Sequence, residues 1–229
     1  MDFRYQLRYQ LTKILRCSHK QADAYCRNGQ IEINQIVTSD PRIKIGYHEQ
    51  IKLKGEIIRK GTELKYVLFY KPNHYECTTN RAVENNMYEV LPLEYQDLFA
   101  IGRLDKNSEG LLLLTNDGSF YKAMMGNEVE IEKEYIVQAY FPVTDSLRHS
   151  FENSFQLGQR FTLPAQFEQV NECCFKVILK EGINRQIRRI LAKNNNRVKQ
   201  LIRVRFGNFK LEKMHPGQCI ELADRPATG

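Results

Sequence analysis

Asp105 stands in the stretch GRLDKNSEGLLLLTNDG, residues 102–118, between an arginine-leucine pair and a run of leucines. The run GLLLLT is unbroken and apolar, and Asn116-Asp117-Gly118 ends it with turn residues, so it reads as a strand buried on both faces. Asp105 then sits in a loop just upstream of a core strand. A rigid strand beneath a loop is where a catalytic carboxylate would be held. An aspartate there also serves by hydrogen-bonding neighbouring backbone amides, and spacing alone favours neither role.

A second constellation is EGINRQIRRILAKNNNRVKQLIRVRFGNFKLEK. On a helix starting near Asn184, Arg185, Arg188 and Arg189 are related as i, i+3 and i+4 and share one face. Ile187, Ile190 and Leu191 fall opposite. Such a helix buries its aliphatic side and offers three guanidiniums to a phosphate or a carboxylate, although charge runs are commonly solvated faces. From 184 to 213 the basic residues are Arg185, Arg188, Arg189, Lys193, Arg197, Lys199, Arg203, Arg205, Lys210 and Lys213, against Glu212 alone. Ten to one points to a polyanion. A third candidate is Tyr135 in IEKEYIVQAY, a half-buried sheet aromatic or a base-stacking residue.

The elements that must position these residues fall into two groups. Phe3, Leu7, Leu11, Ile14 and Leu15 predict a first amphipathic helix over 3–15, with Arg4, Arg8 and Lys13 off its apolar stripe. A capping box, Ser18-x-x-Gln21, predicts a second helix that stops at Gly29. QIEINQIV and, after the turn at Asp40-Pro41, RIKIGYHEQIKLKG alternate as half-buried strands. The polar segment 56–63 then marks a boundary, so the expected domains are 1–58 and 63–229. Strands over 64–70, 111–115, 135–141, 174–180 and 200–212, with helices near 119–125, 145–153 and 185–194, predict an α+β fold with a mixed, largely antiparallel sheet.

Composition narrows the class. The 229 residues carry net charge +7 and 42% hydrophobic content, enough for a sizeable core and suited to an anionic partner. No apolar run nears the roughly 18 residues of a membrane span and the start has no signal-peptide character, which implies a cytoplasmic protein with no membrane partner. The six cysteines include no C-x-x-C pair, and the five histidines lack metal-ligand spacing. Free thiols and no metal are expected.

Taken together, these pieces resemble the RsuA-like bacterial ribosomal RNA pseudouridine synthases over nearly the whole chain. GRLDKNSEGLLLLTNDG resembles that family's G-R-L-D-x-x-[ST]-x-G-L-x-x-[LM]-T-x-D-G, KEYIV its K-x-Y-x-V, and NRQIRR its late N-R-Q-I-R-R or H-Q-V-[KR]-R helix. The first 55 residues are similar to the RNA-binding module named for ribosomal protein S-four, SHKQA standing for S-R-x-E-A. The implied architecture is a small N-terminal αL-type RNA-binding module followed by a pseudouridine synthase domain. Three positions depart from the pattern: Ile183 where a basic residue is usual, no glycine after the Lys71-Pro72 pair, and EINQ for V-N-G.

The resemblance implies an isomerase that needs no cofactor or metal. It breaks the N1–C1′ bond of a uridine in ribosomal RNA, turns the uracil and rejoins it through C5. Hydrolytic glycosidases commonly need two carboxylates, whereas an isomerase that excludes water can work with one. By resemblance that one is Asp105, a nucleophile at C1′ or a base at C2′, ionised in either role. The family pairs it with the arginine matching Arg188, which implies an Asp105–Arg188 ion pair. Tyr135 is the implied stacking residue for a flipped-out uridine. Arg103, Arg185 and Arg189 are implied for phosphates, and Arg4, Arg8 and Lys20 for RNA contacts of the N-terminal module, in a protein expected to be monomeric and to act on ribosomal RNA or an assembly particle. An RNA-binding or ribosome-assembly factor of the same fold, without chemistry, is the alternative; a nucleoside glycosidase would explain neither the basic tract nor the N-terminal module. The motifs leave the target nucleotide and the ribosomal subunit open.

Overall fold

The computed structural model describes residues 5–46, 48–126 and 131–227. The chain divides into two compact units, Met1–Leu64 and Lys65–Gly229.

In the first unit, α1 (Leu7–Leu15) and α2 (His19–Arg27) precede β1 (Ile31–Ile33), β2 (Ile36–Val37), β3 (Ile51–Leu53) and β4 (Glu56–Arg59), which form an antiparallel sheet in the order β2-β1-β3-β4. The capping box is formed. The Gln21 amide donates to Ser18 Oγ at 3.2 Å and the Ser18 amide to Gln21 Oε1 at 2.9 Å, satisfying two otherwise orphaned donors. Leu7 and Leu11 of α1, Ala22 and Cys26 of α2, and Ile31 and Ile51 of the sheet share one core.

Two expectations change in this unit. The segment around Ile43–Gly46 is not a strand: Lys44 makes one isolated bridge to Gln6, and Ile45 is buried by it. Residues 56–59, read as a polar boundary, instead continue the sheet as β4. Ile58 packs against the core, and Arg59 donates to the carbonyls of Gly46 (2.7 Å) and Glu49 (3.1 Å), so these two residues hold the segment on the sheet.

The second unit runs β5 (Tyr66–Lys71), 3-10 turns at Met87–Glu89 and Leu93–Tyr95, β6 (Phe99–Ile101), β7 (Glu109–Thr115), α3 (Gly118–Met125), β8 (Lys133–Ala139), α4 (Asp145–Glu152), β9 (Gln156–Leu157), β10 (Arg160–Phe161), β11 (Gln166–Asn171), β12 (Cys174–Leu179), α5 (Gln186–Lys193), β13 (Val198–Phe206), β14 (Phe209–Lys210) and β15 (Cys219–Glu221). Its main sheet has the order β11-β12-β8-β13-β7-β5-β15, with β14 on β13 and β6 on β7. The sheet is mixed and mostly antiparallel; β7 and β13 run parallel. The short strands β6 and β15 are not marked by the periodicity of the sequence. No helix among the described residues is long and apolar enough to cross a membrane.

All seven residues of β7 are buried, as an unbroken apolar run with neighbours on both faces requires. β5 pairs with one edge of β7 along most of its length, from Gly110 to Thr115. The other edge is divided: β13 takes Glu109 and Gly110, while β6 takes Leu113 to Thr115. Gly110 permits the first of these contacts. Its φ is +109°, and a Cβ there would lie 2.4 Å from the Arg203 carbonyl oxygen. Across the sheet, Val177, Tyr135, Arg203 and Gly110 form one row over β12, β8, β13 and β7. One core cluster packs α4 and α5 on β8 and β12, and another packs residues 87–98 on β5 and β7. Tyr135 touches both.

Candidate active site

Asp105 lies in the loop between β6 and β7, where the edge of β7 passes from one partner to the other. The Ser108 amide donates to the Asp105 carbonyl at 3.0 Å, closing a turn. Lys71, fully buried at the end of β5, reaches beneath this loop: its Nζ donates to the carbonyls of Tyr75 (2.7 Å), Pro72 (2.8 Å) and Lys106 (3.4 Å). The His74 amide also donates to the Lys106 carbonyl, at 2.8 Å. Burial pushes the Lys71 ammonium down to about 8, against the opposing pull of nearby Glu109 and Asp105. From the other side, Arg188 Nη2 donates to the Asn107 carbonyl. The loop is thus tied down at Lys106 and Asn107, the two residues that follow Asp105.

The carboxylate itself is left available. No hydrogen bond among the described residues ends on it, its side chain is 30% exposed, and its ion-pair partner is Arg185, with Nη1 3.9 Å from Oδ2. The bland role of bonding its own backbone neighbours is therefore not taken up. The expected ion pair with Arg188 is replaced by this one. Arg185 is the N-cap of α5 and adopts a left-handed conformation (φ 52°), which takes its side chain off the helical track and toward Asp105. Arg188, one turn on, is held by Asn107 and lies near enough to both for their charges to be felt: burial lowers its affinity for the proton, Arg185 lowers it further, and Asp105 raises it.

The expectation of three guanidiniums on one helical face is corrected by the same geometry. Asp105, Arg103, Tyr135, Arg185 and Arg188 line a cavity of about 940 Å³, and Arg189 is not among its lining residues. Successive helical residues turn by about 100°, so Arg189 points elsewhere, its guanidinium beside the Gly158 turn and bonded to the Asn184 carbonyl at 3.5 Å. The basic tract is not a uniform surface either. Arg205 pairs with Glu134 (2.9 Å) and Glu132 (3.0 Å), and Arg203 is buried.

In the first unit, Arg8 commits both prongs of its guanidinium to Asp23, at 2.6 and 2.7 Å, joining α1 to α2. This pair engages two of the donors that its expected RNA contact would use. Lys20 is exposed on α2. Arg4 lies outside the described residues.

Three cavity residues and one behind the cavity are not singled out as site residues by the sequence. Ser108 and Gln186 line the cavity, as does Arg203 on its inner wall, while Lys71 stands behind it. Lys71 had a legible signal, a lysine closing the dense apolar strand YVLFYK just before proline. Ile183, which replaces the usual basic residue, lines the cavity and packs against the α4–α5 core. No group of three or more His, Cys, Asp or Glu among the described residues could hold a metal ion.

The RNA pseudouridylate synthase family matches residues 65–193, more than half of the chain and the stretch that carries Asp105, Tyr135, Arg185 and Arg188. The chain belongs to that family. It is an RNA pseudouridine synthase of the RsuA and RluF type. An uncharacterised RNA pseudouridine synthase of Rickettsia typhi is 29% identical over 225 residues, covering 95% of this chain and 93% of its own. The dual-specificity RNA pseudouridine synthase RluF of Escherichia coli O157:H7 is 29% identical over 211 residues, 91% of this chain and 72% of its own. The fold is shared with a crystal structure of a pseudouridylate synthase, TM-score 0.67 at 23% identity, covering 95% of this chain and 96% of that one. The pseudouridine synthase assignment makes RNA the partner of the protein.

Proposed function

We propose that this pseudouridine synthase isomerises a specific uridine of ribosomal RNA, with Asp105 as the catalytic carboxylate. The observation that carries the reading is the Asp105 carboxylate, free of hydrogen bonds among the described residues and 3.9 Å from Arg185, in the same cavity as Tyr135 and Arg188. In this reading a uridine leaves its RNA stack, and its base lies on the face of Tyr135. Asp105 attacks C1′ or removes the C2′ proton. The C1′–N1 bond breaks, the uracil turns, and C5 bonds to C1′. C5 then loses its hydrogen and N1 carries a proton, so the reaction needs neither an oxidant nor water.

Arg185 stabilises the ionised carboxylate, and Arg188 fixes its loop while adding positive potential. Arg103 and Arg185, exposed at the cavity mouth, meet phosphates flanking the uridine. Residues 1–58 act as the S-four-like module, with Lys20 exposed to the RNA, and linkage of the two sites raises affinity through effective concentration. The working form is a cytoplasmic monomer.

The test uses small- and large-subunit ribosomal RNA transcripts with tritium at uridine C5. Wild type is expected to release tritium stoichiometrically from one transcript, and Asp105→Ala to release none while keeping its RNA affinity. Release by Asp105→Ala at the wild-type rate would remove Asp105 from the mechanism. Absence of release by wild type from both transcripts would overturn the proposed function.

A further inference from the structure

Buried polar atoms usually find partners, and those that do not call for an explanation. Among the described residues, six buried side-chain nitrogens or oxygens have no hydrogen-bond partner within the protein. Four of them, Ser108 Oγ, Gln186 Oε1, Arg188 Nε and Arg203 Nη2, belong to residues that line the cavity holding Asp105. Arg203 is the deepest-set cation of the group, with 2% of its surface exposed.

The rest of the Arg203 side chain is fixed. Its Nε donates to the Leu111 carbonyl at 2.8 Å, its guanidinium lies 4.9 Å from the centre of the Phe206 ring, and its main chain is pressed against Gly110. No carboxylate of the described residues lies within 4.0 Å of it to form an ion pair. A buried cation with one anchored nitrogen and one unused nitrogen is preorganised for a ligand. Its position says which part of the ligand. Arg203 is directly opposite Tyr135 on the neighbouring strand, and side chains so paired start about 4.5–5.5 Å apart on one face of a sheet. A ring stacked on Tyr135 therefore turns an edge toward Arg203.

We infer that Arg203 is a further catalytic residue, whose Nη2 donates to a carbonyl oxygen of the uracil and holds the negative charge the base takes up when C1′–N1 breaks. The inference rests on the proposed function and deepens it. Whether Asp105 attacks C1′ or removes the C2′ proton, the bonding pair of C1′–N1 departs with the uracil. That charge spreads over N1 and the carbonyl oxygens, and returns when C5 bonds to C1′. A fixed guanidinium at a carbonyl oxygen stabilises the charged base more than the neutral one, which is the condition for accelerating the step. A phosphate is the poorer occupant, because it would be stripped of water to reach an almost fully buried nitrogen, while exposed Arg103 and Arg185 stand at the mouth.

The experiment compares wild type with Arg203→Met and Arg203→Lys, measuring single-turnover tritium release from the ribosomal RNA transcript that wild type modifies, and RNA affinity at several salt concentrations. For R203M the expected result is a rate lower by about 10²–10³-fold, with affinity within about twofold and the salt dependence unchanged. R203K keeps a buried cation and remains testable should R203M fail to fold. Its single nitrogen cannot serve Leu111 and the base together as two guanidinium nitrogens do, so its rate is expected to fall at least tenfold at unchanged affinity. Wild-type rates in either folded variant would overturn the inference. So would a loss confined to affinity with a salt slope shallower by about one, the mark of a phosphate contact. Absence of release by wild type would overturn the proposed function and the inference together, whereas normal release by the variants would overturn the inference alone.

Discussion

Two cations are buried near Asp105, and they are treated in opposite ways. Behind the loop, Lys71 gives its ammonium to three carbonyls within 3.4 Å. On the cavity wall, Arg203 gives one nitrogen to Leu111 and leaves Nη2 without a partner in the protein. The first arrangement is closed and serves the fold: it sets the height of the loop and hence of the carboxylate. The second is open toward the space where a base would lie. The difference separates structural from chemical use of a buried charge more sharply than burial itself, since the two are buried alike.

The comparison can be broken most forcefully at Gly110, which touches both sides of it. Gly110→Ala puts a Cβ 2.4 Å from the Arg203 carbonyl oxygen at φ +109°, and β13 must move away. A stability loss of about 3 kcal/mol is expected, measured by denaturant titration, together with loss of tritium release. Unchanged stability would mean that the β7–β13 contact yields easily and does not fix Arg203. Lys71→Met should cost nearly as much. It strands the carbonyls of Pro72 and Tyr75 and leaves that of Lys106 with the His74 amide alone, for about 2–3 kcal/mol, and lowers the melting temperature by roughly 4–12 °C. Arg203→Met, by contrast, should stay within about 1 kcal/mol of wild type, because the loss of one bond is offset by removal of a buried, half-satisfied charge. Equal destabilisation by K71M and R203M would erase the distinction.

Asp117 extends the comparison to an acid, with a smaller effect. It is buried, caps α3 through the amides of Ser119 (2.8 Å) and Phe120 (3.1 Å), and accepts from the Tyr66 hydroxyl at 2.8 Å. Burial pushes its carboxyl up, but the bonds from Ser119, Tyr66 and Phe120 outweigh burial and hold it down at about 2. The unfolded chain then takes up the proton first. The stabilisation is fully present above pH about 4 and is lost as pH falls toward 2, amounting to about 2 kcal/mol. Denaturant titration of wild type and Asp117→Asn at pH 6 and pH 2.5 should show the gap between them narrowing in acid. A constant gap would mean the carboxylate is not a satisfied charge of the Lys71 kind.

Local rules made part of this legible in the sequence. The capping box at Ser18, the apolar run of β7 and the aliphatic side of α5 each follow from residues close in sequence, and the structure carries all three. What escaped depends on distant partners. Arg203 reads as one more cation in a basic tract, and only the Leu111 carbonyl, 92 residues away, shows that it is buried. Arg185 and Arg188 exchange their expected places because a single left-handed residue at the start of α5 shifts the side chain ahead of the helix, which helical spacing does not register. β6 and β15 are three residues each, too short for a period-2 pattern to stand out.

β13 lies between β8 and β7 and is the strand through which the two parts of the main sheet meet. Asp105, Tyr135 and Arg188 all precede it in the chain. During synthesis, a nascent polypeptide that already contains these three side chains still lacks the strand that sets Tyr135 beside the Asp105 loop. Among the pairings of β13 the longest in range are Glu109 with Ile202 and Gly110 with Arg203, and such contacts form slowly. The cavity that holds Asp105 is thus incomplete until nearly the whole second unit has left the ribosome.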